Sequence, residues 1–308
     1  MLETLAVIAG LFAATLRGAT PLLLVMLGET LTQRVGIINL GVEGQMLMGA
    51  FVGFATTAVT GDPWLGLAAG ALAGFLLSTV HAMLCLGFRA NQIGSGIAVW
   101  ILGMGISSFY GRPFVGRDIP GLGTLVDRSA EGIPLLGPIL TQLTPTVLIA
   151  LLLVPVIGLW LGHTRDGLRW RAVGESTESA RALGIRPTLV RIQGILVGGL
   201  LSGLGGAALS VDYTSTWAQE MTRGRGLVAV GLVIVARWNP YLALPAALLF
   251  GLAEAVYLRL QVADVSVSSY LLATLPYGIS LLVLVLAYRR ARRGGMPAAL
   301  SEVFAGTR

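Results

Sequence analysis

Long apolar stretches alternate with short polar segments along almost the whole chain. A helix needs about 20 mainly apolar residues to cross the hydrocarbon core of a bilayer. The pattern therefore predicts an all-α, polytopic integral membrane protein with about nine transmembrane helices. They lie at roughly Leu5–Leu31, Val35–Val59, Trp64–Phe88, Ile93–Tyr110, Thr144–Leu161, Arg191–Val211, Leu227–Ala236, Tyr241–Leu260 and Tyr270–Tyr288.

Two of these stretches have unusual features. Leu227–Ala236 is too short to cross by itself, so it either extends back through the glycine-rich sequence TRGRGL or does not fully cross. The first stretch contains Arg17, and a guanidinium is costly inside lipid unless it reaches the interface or lines a cavity.

Composition supports a membrane protein and excludes one class of enzyme. The 308 residues are 55% hydrophobic and 12% charged, whereas soluble domains average about 25% charged residues. We interpret residues 1–308 as a single transmembrane domain. Every basic residue is an arginine, so the chain cannot contain a P-loop, whose lysine contacts the nucleotide phosphates.

The arginines are distributed as the positive-inside rule requires. They concentrate in the polar loop 163–190, with Arg191 just after it, and in the tail 289–308, which contains Arg289, Arg290, Arg292 and Arg293. Four predicted spans separate the two segments, so both can be cytoplasmic and the N-terminus lies outside. This placement accounts for the net charge of +6 without a nucleic-acid partner.

Cysteine and histidine give no sign of a metal site. Cys85 is the single cysteine, and His81 and His163 are far apart in the sequence. We therefore expect structural roles for all three and no bound metal.

A polar segment, RAVGESTESARALGIRP, interrupts the apolar pattern and has clear helix signals. Ser176 is a suitable N-cap, and Gly184 followed by Pro187 ends the helix. We predict a helix over Thr177–Leu183, with Ala180 and Leu183 forming a narrow apolar face. So short a helix needs a docking surface, which is either a groove of a soluble partner or the membrane surface.

Several polar residues occur where the chain enters predicted spans. Asn39 and Glu43 are four residues apart and share a face if the helix is continuous. Glu43 either contacts a substrate or braces a neighbouring span through Arg34 or Arg89. Residues of the fourth span either cap its helix or line a gate. The candidates for a polar path are Asn39, Glu43, Gln45, Asn91, Gln92, Ser95 and Trp100.

Five segments together resemble the permeases of bacterial ABC importers, in the branch that carries nucleosides and simple sugars and is related to ribose permeases. They include NLGVEGQMLMGA and RANQ, which look specific to the nucleoside type. The segments occur in order over nearly the whole chain, at 19–51, 88–103, 170–185, 221–240 and 275–285.

The resemblance implies the ABC importer permease fold and a transport subunit that is not itself an enzyme. It implies a second, related permease chain, an ATP-binding subunit that holds ATP and Mg²⁺, and an extracytoplasmic substrate-binding protein. The location would be the bacterial plasma membrane, with a cytoplasmic C-terminus. The polar helix would then be the coupling element to the ATPase, formed by Glu175, Ser176, Thr177, Glu178, Ser179, Ala180, Arg181, Ala182, Leu183 and Gly184.

Two other functions stay open on the sequence alone. A proton-coupled secondary transporter would use Glu29, Glu43 and Glu254 as a relay. An intramembrane enzyme is the other alternative, although the chain has no HExxH or GxSxG motif. For the outer surface, Asp212, Tyr213, Trp217 and Glu220 form one candidate docking loop for a binding protein.

Overall fold

A computed structural model describes residues 2–126, 133, 137–262, 268–290 and 295–304. These residues form helices joined by loops, and an isolated bridge pairs Asp118 with Thr216. The helices are α1 Leu2–Arg34, α2 Val42–Thr60, α3 Pro63–Ala82, α4 Gln92–Gly111, α5 Gly137–Leu140, α6 Pro145–His163, α7 Arg165–Glu175, α8 Thr177–Ala182, α9 Pro187–Ala207, α10 Arg225–Val235, α11 Pro240–Val262, α12 Ser269–Ala273, α13 Leu275–Arg290 and α14 Ala298–Phe304.

The predicted all-α membrane architecture is confirmed, although the count of nine spans is not. Seven helices in the described part of the chain are long and apolar enough to cross a membrane. The other two predicted spans correspond to shorter apolar helices, Arg225–Val235 and Leu271–Leu286. Three long helices are extended by other turns: α3 by the π-helical Met83–Gly87, α9 by the π-helical Ala208–Tyr213 and α4 by the 3-10 turn Arg112–Phe114.

The short helix α10 does not extend back through TRGRGL. Its N-cap is Gly224, whose φ of 81° and ψ of 8° place it in the left-handed region. Glu220 and Arg223 also have positive φ values, 55° and 48°. Because these residues turn the chain instead of continuing the helix, α10 rises only about 17 Å and begins inside the bundle.

Close contacts between small residues hold the centre of the bundle together. Helix α9 packs against α1, α2 and α3. A Cβ on Gly28 would lie 2.7 Å from the Gly198 carbonyl oxygen, and one on Gly203 would lie 2.8 Å from the Cα of Gly74. Backbones this close leave no room for side chains, which is how helices associate where no hydrophobic driving force exists between them.

The polar loop and the C-terminal helix share one end of the bundle. Gly174 of α7 lies against Pro297, just before α14, and a Cβ on Gly36 would lie 2.7 Å from that of Ala299. This common placement agrees with the prediction that both segments lie on the same side of the membrane. Arg292 and Arg293 lie outside the described residues.

Candidate functional site

The polar helix forms as its sequence signals predict, one residue shorter than expected. Ser176 has extended backbone geometry, and its hydroxyl accepts a hydrogen bond from the Ser179 amide at 3.2 Å. Gly184 has a φ of 76°, and the Ile185 amide donates to the Ala180 carbonyl at 3.0 Å. This bond runs back five residues from the position after the glycine, as in the Schellman motif that ends many helices. Helix α8 therefore has a local cap at each end.

The predicted apolar face of this helix is wrong. Ala180 is 1% exposed, whereas Leu183 is 77% exposed. The two residues differ in exposure because α8 packs on α7 and α9 of the same chain. The side of α8 that contains Ala180 makes this contact. The surface left for a partner consists of exposed residues, which are Glu175, Glu178, Ser179, Arg181, Ala182, Leu183 and Gly184.

Arg191 provides a hydrogen-bonded link between α8 and the end of α1. Arg191 of α9 donates from Nη2 to the Thr177 hydroxyl at 2.8 Å and from Nε to the Val35 carbonyl at 3.3 Å. Val35 directly follows α1. The first turn of α8 is therefore joined through one side chain to the segment that leads from α1 into α2.

A groove of about 690 Å³ lies beside α8. Trp160 and Trp170 meet edge to face in its wall, with ring centroids 4.8 Å apart. Leu183 and Leu189 supply further apolar lining, and Asp166 and Arg169, an exposed ion pair, lie at its edge. The exposed end of α8 thus borders a largely apolar recess.

Glu43 is the most heavily bonded polar side chain among the path candidates. It lies in the first turn of α2 and is 3% exposed. Its Oε1 accepts from the Thr222 hydroxyl at 2.6 Å and the Gly224 amide at 2.8 Å. Its Oε2 accepts from the amides of Gly226 at 2.7 Å and Leu227 at 3.3 Å. The carboxylate therefore binds the N-terminus of α10, where unpaired amides and the helix dipole favour negative charge.

Glu43 thus braces a neighbouring helix, but the prediction that it does so through Arg34 or Arg89 is wrong. Arg34 instead donates from Nε to the Trp238 carbonyl at 2.9 Å, and Arg89 is exposed in the turn after α3. The residues between Arg34 and Val42 carry the chain into the bundle before α2 begins. The glycine-rich TRGRGL sequence was the available signal that another segment approaches the chain closely there. A side chain on Gly226 would collide with Glu43.

Asn39 and Gln45 pair with each other away from solvent. Both are fully buried, and Asn39 Nδ2 donates to Gln45 Oε1 at 2.9 Å. The Asn39 Oδ1 accepts from the Gly41 amide at 3.1 Å, which stabilises the turn before α2. The two residues therefore stabilise the entry into α2 in this conformation.

The four candidates of the fourth span occupy different environments. Asn91 caps α4, because its Oδ1 accepts from the amides of Ile93 at 2.9 Å and Gly94 at 3.0 Å. Gln92 accepts from the Ile38 amide at 2.9 Å. Trp100 is half-buried beside Gly44.

Ser95 is buried in a small polar cluster between α3 and α4. Its hydroxyl lies 2.8 Å from Cys85 Sγ and 3.1 Å from His81 Nδ1. Both partners were expected to have structural roles, and their burial agrees with that. Within the described residues, no group of three or more His, Cys, Asp or Glu side chains could hold a metal ion.

The three acids of the predicted relay have separate partners. Glu29 is fully buried and accepts from Gln33 Nε2 at 3.1 Å, and Gln33 Oε1 accepts from Trp238 Nε1 at 2.7 Å. Glu254 of α11 forms an ion pair with Arg225 of α10. The sequence predicts no role for Gln33, Arg225 or Trp238, although all three lie within the segments 19–51 and 221–240 that carry the family resemblance.

The candidate docking loop at the opposite end is mostly buried. Asp212 is 6% exposed and accepts hydrogen bonds from the hydroxyls of Thr144 and Thr146, and Trp217 is 2% exposed. Glu220 is exposed. A docking surface that contains Asp212 and Trp217 is therefore wrong, because both side chains pack within this chain.

Comparison with known proteins gives one family. Residues 11–288 match the family described as branched-chain amino acid transport system / permease component. The chain is 42% identical to the putative glucose ABC transporter permease protein TsgC13 of Haloferax volcanii, over 82% of this chain and 78% of that protein. It is 36% identical to the guanosine ABC transporter permease protein NupQ of Bacillus subtilis, over 79% and 80%. It is 30% identical to the nucleoside ABC transporter permease protein NupC of Lactococcus lactis subsp. cremoris, over 89% and 90%.

No solved structure matches the chain. The family confirms the resemblance and a transport role without enzymatic activity, and it does not favour a proton-coupled transporter. An ATP-binding subunit and a substrate-binding protein are the partners that such a permease requires. The chain belongs to this permease family, and it is a membrane-spanning permease subunit of an ATP-binding-cassette transporter.

Proposed function

We propose that this chain lines the translocation path for a nucleoside or a simple sugar in an importer. The substrate class rests on the relatives, whose names specify glucose, guanosine and nucleosides. A polar solute needs hydrogen-bonding groups along its path. The path would run among α2, α4, α9 and α10, where Asn39, Glu43, Gln45, Asn91, Gln92, Ser95 and Trp100 occur.

The single chain supplies only one wall of this path. Asn39, Glu43, Gln45 and Ser95 are buried, whereas Asn91 is exposed and Gln92 and Trp100 are partly exposed on α4. A second, related permease chain would supply the facing wall. On this proposal the exposed residues contact substrate first, and Glu43 keeps α2 and α10 together while the path opens.

The proposed assembly places ATP chemistry outside this chain. ATP and Mg²⁺ would bind in the ATP-binding subunit, and this chain would need no cofactor. The whole of residues 1–308 would form one permease domain in the bacterial plasma membrane. The loop 163–190 and the tail 289–308 would face the cytoplasm, and the substrate-binding protein would dock at the opposite end.

The segment Glu175–Gly184 would couple ATP hydrolysis to transport. The observation that supports this role is the combination of an exposed, doubly capped helix with an arginine link to the end of α1. Force applied to α8 by a soluble partner would reach Val35 and then α2 through Arg191. Leu183 is the largest exposed apolar side chain on this surface.

The test is ATP-driven uptake in proteoliposomes that contain this chain, its second permease, the ATP-binding subunit and the binding protein. Guanosine and glucose would be compared as labelled substrates. Leu183→Glu should abolish ATP-driven uptake and ATPase binding without impairing membrane insertion. Leu168→Glu is the matched control, because Leu168 is 48% exposed on the neighbouring helix α7. Normal uptake by Leu183→Glu would refute coupling through α8. If the wild type takes up no solute from a panel of nucleosides and simple sugars that includes these two, the substrate class is refuted.

A further inference from the structure

A cavity at the end of the bundle opposite α8 contains two arginines. Its volume is about 360 Å³, and it lies between α1, α11 and the extension of α9. A water molecule takes up about 30 Å³ in the liquid, so the cavity has space for a group much larger than an ion. The lining includes Arg17, Arg259, Gln142, Tyr213 and Leu258.

Neither arginine has an acidic partner among the residues that the structure describes. Arg17 Nη2 donates to the Asp212 carbonyl at 3.1 Å, and its buried Nε has no hydrogen-bond partner. Arg259 donates from both terminal nitrogens to the Val7 carbonyl, each at 3.3 Å. Backbone carbonyls bind these guanidinium groups but do not neutralise their charge.

Each of the nearest acids has one oxygen engaged elsewhere, and the other oxygens, Asp212 Oδ1 and Glu254 Oε2, are buried without a hydrogen-bond partner among the described residues. The Asp212 Oδ2 accepts from the hydroxyls of Thr144 and Thr146. Glu254, one turn before Leu258 on α11, forms the ion pair with Arg225. The cavity therefore presents two positive groups, and its hydrogen-bonding capacity suits an anion with several acceptor oxygens.

The rise of the helices places both arginines almost one bilayer core away from the other end of the bundle. Arg17 is about 26 Å along α1 from Arg34, and Arg259 is about 28 Å along α11 from Pro240. Arg34 and the turn before Pro240 lie together at the other end of the bundle. With Arg34 at one edge of a hydrocarbon core about 30 Å thick, both arginines fall near the other edge. Leu258, which is 42% exposed, lines the same cavity with apolar surface.

We propose that this cavity binds the phosphate group of an anionic phospholipid from the leaflet opposite α8. Arg17 and Arg259 hold the phosphate from two sides, and Gln142 supplies a further hydrogen-bonding group. The apolar lining contacts the glycerol and the first acyl carbons. This site gives a reason for a guanidinium at position 17 within a largely apolar stretch of α1.

The test measures thermal unfolding of the full chain in detergent during titration with dioleoyl phosphatidylglycerol. Dioleoylglycerol has the same tails without the phosphate, and inorganic phosphate has the anion without the tails. The phospholipid should raise the unfolding midpoint at concentrations where the other two do not. The double variant Arg17→Gln with Arg259→Gln should need at least roughly tenfold more phospholipid for the same rise in the unfolding midpoint. The reason is that hydrogen bonds to charged groups are among the stronger ones.

Arg117→Gln is the matched control, because Arg117 is an exposed arginine at the same end that stacks over Phe114. It should behave as the wild type. Arg259→Gln alone keeps the Arg17 bond to Asp212 and should still weaken the response, even if the double variant does not fold. An unchanged response in Arg259→Gln overturns the proposal. Equal stabilisation by inorganic phosphate would indicate a free anion, and equal stabilisation by dioleoylglycerol would indicate binding by tails alone; either result overturns it.

Discussion

Helices α8 and α10 are both short, but their N-terminal amides are satisfied in opposite ways. The residue before α8 is Ser176, and its own hydroxyl caps the helix. The residue before α10 is Gly224, which has no side chain, and the cap comes from Glu43, 183 positions from Gly226. At the surface a local side chain and water suffice, whereas inside the bundle every amide needs a protein partner.

This difference sets how each helix can move. A locally capped α8 keeps its structure when its contacts with a partner change. Helix α10 cannot leave α2 without exposing amides that Glu43 now satisfies. Arg225 adds a second anchor, since it pairs with Glu254 of α11. We therefore expect α8 to transmit movement, while α2, α10 and α11 move together.

The largest expected effect comes from removing the remote cap. Glu43→Ala would leave the Gly224, Gly226 and Leu227 amides and the Thr222 hydroxyl without their acceptor. Each buried unpaired group costs about 1–3 kcal/mol, so the loss in unfolding free energy should be roughly 3 kcal/mol or more. Unfolding by sodium dodecyl sulfate in mixed micelles measures it.

Glu43→Gln provides the graded control for this prediction. Its amide keeps one acceptor oxygen but replaces the other with a donor, which cannot accept from backbone amides. The loss of stability should therefore lie between those of the wild type and Glu43→Ala. If Glu43→Ala unfolds at the wild-type detergent fraction, then the carboxylate does not hold α10 in place.

A smaller effect is expected from the second anchor. Arg225→Met leaves Glu254 buried without its cation, and Glu254→Met leaves the arginine unpaired. Each should lower the unfolding free energy by roughly 2 kcal/mol, as for other hydrogen bonds to charged groups. The double variant should recover most of this loss, because a buried ion pair and an apolar pair of similar volume are often equally stable.

The same micelle titration of all four proteins gives the coupling energy between the two residues. Additive losses would show that Arg225 and Glu254 act separately. In that case α10 would be fixed by Glu43 alone, and the idea that α11 moves with it would fail.

Local signals explain why the sequence predicts α8 so well. Its cap, its glycine stop and the following proline occur within twelve residues of one another, from Ser176 to Pro187. Hydropathy likewise predicts the long spans, since each is a single apolar stretch. The family resemblance predicts the class of protein from motifs in five segments.

Contacts between distant segments explain what the sequence could not predict. Nothing near Glu43 indicates that its partner is the N-terminus of α10, and nothing near Ala180 indicates that α7 and α9 cover it. Asp212 and Trp217 look like loop residues, yet tertiary contacts bury both. Burial and pairing depend on which helices become neighbours, and the period of apolar residues does not specify that in a bundle that is apolar on nearly every side.

The smallest expected effect, and the sharpest test of the comparison, concerns the local cap. Ser176→Ala removes the acceptor for the Ser179 amide and should destabilise α8 by about 1 kcal/mol. Because α8 is a separate surface turn, global unfolding should hardly change, while hydrogen exchange at the first amides of α8 should accelerate about fivefold. Ser179→Ala is the control, since its exposed hydroxyl is not the cap. Equal acceleration in both variants, or a global loss as large as that of Glu43→Ala, would show that α8 is not locally capped and that the two helices do not differ as described.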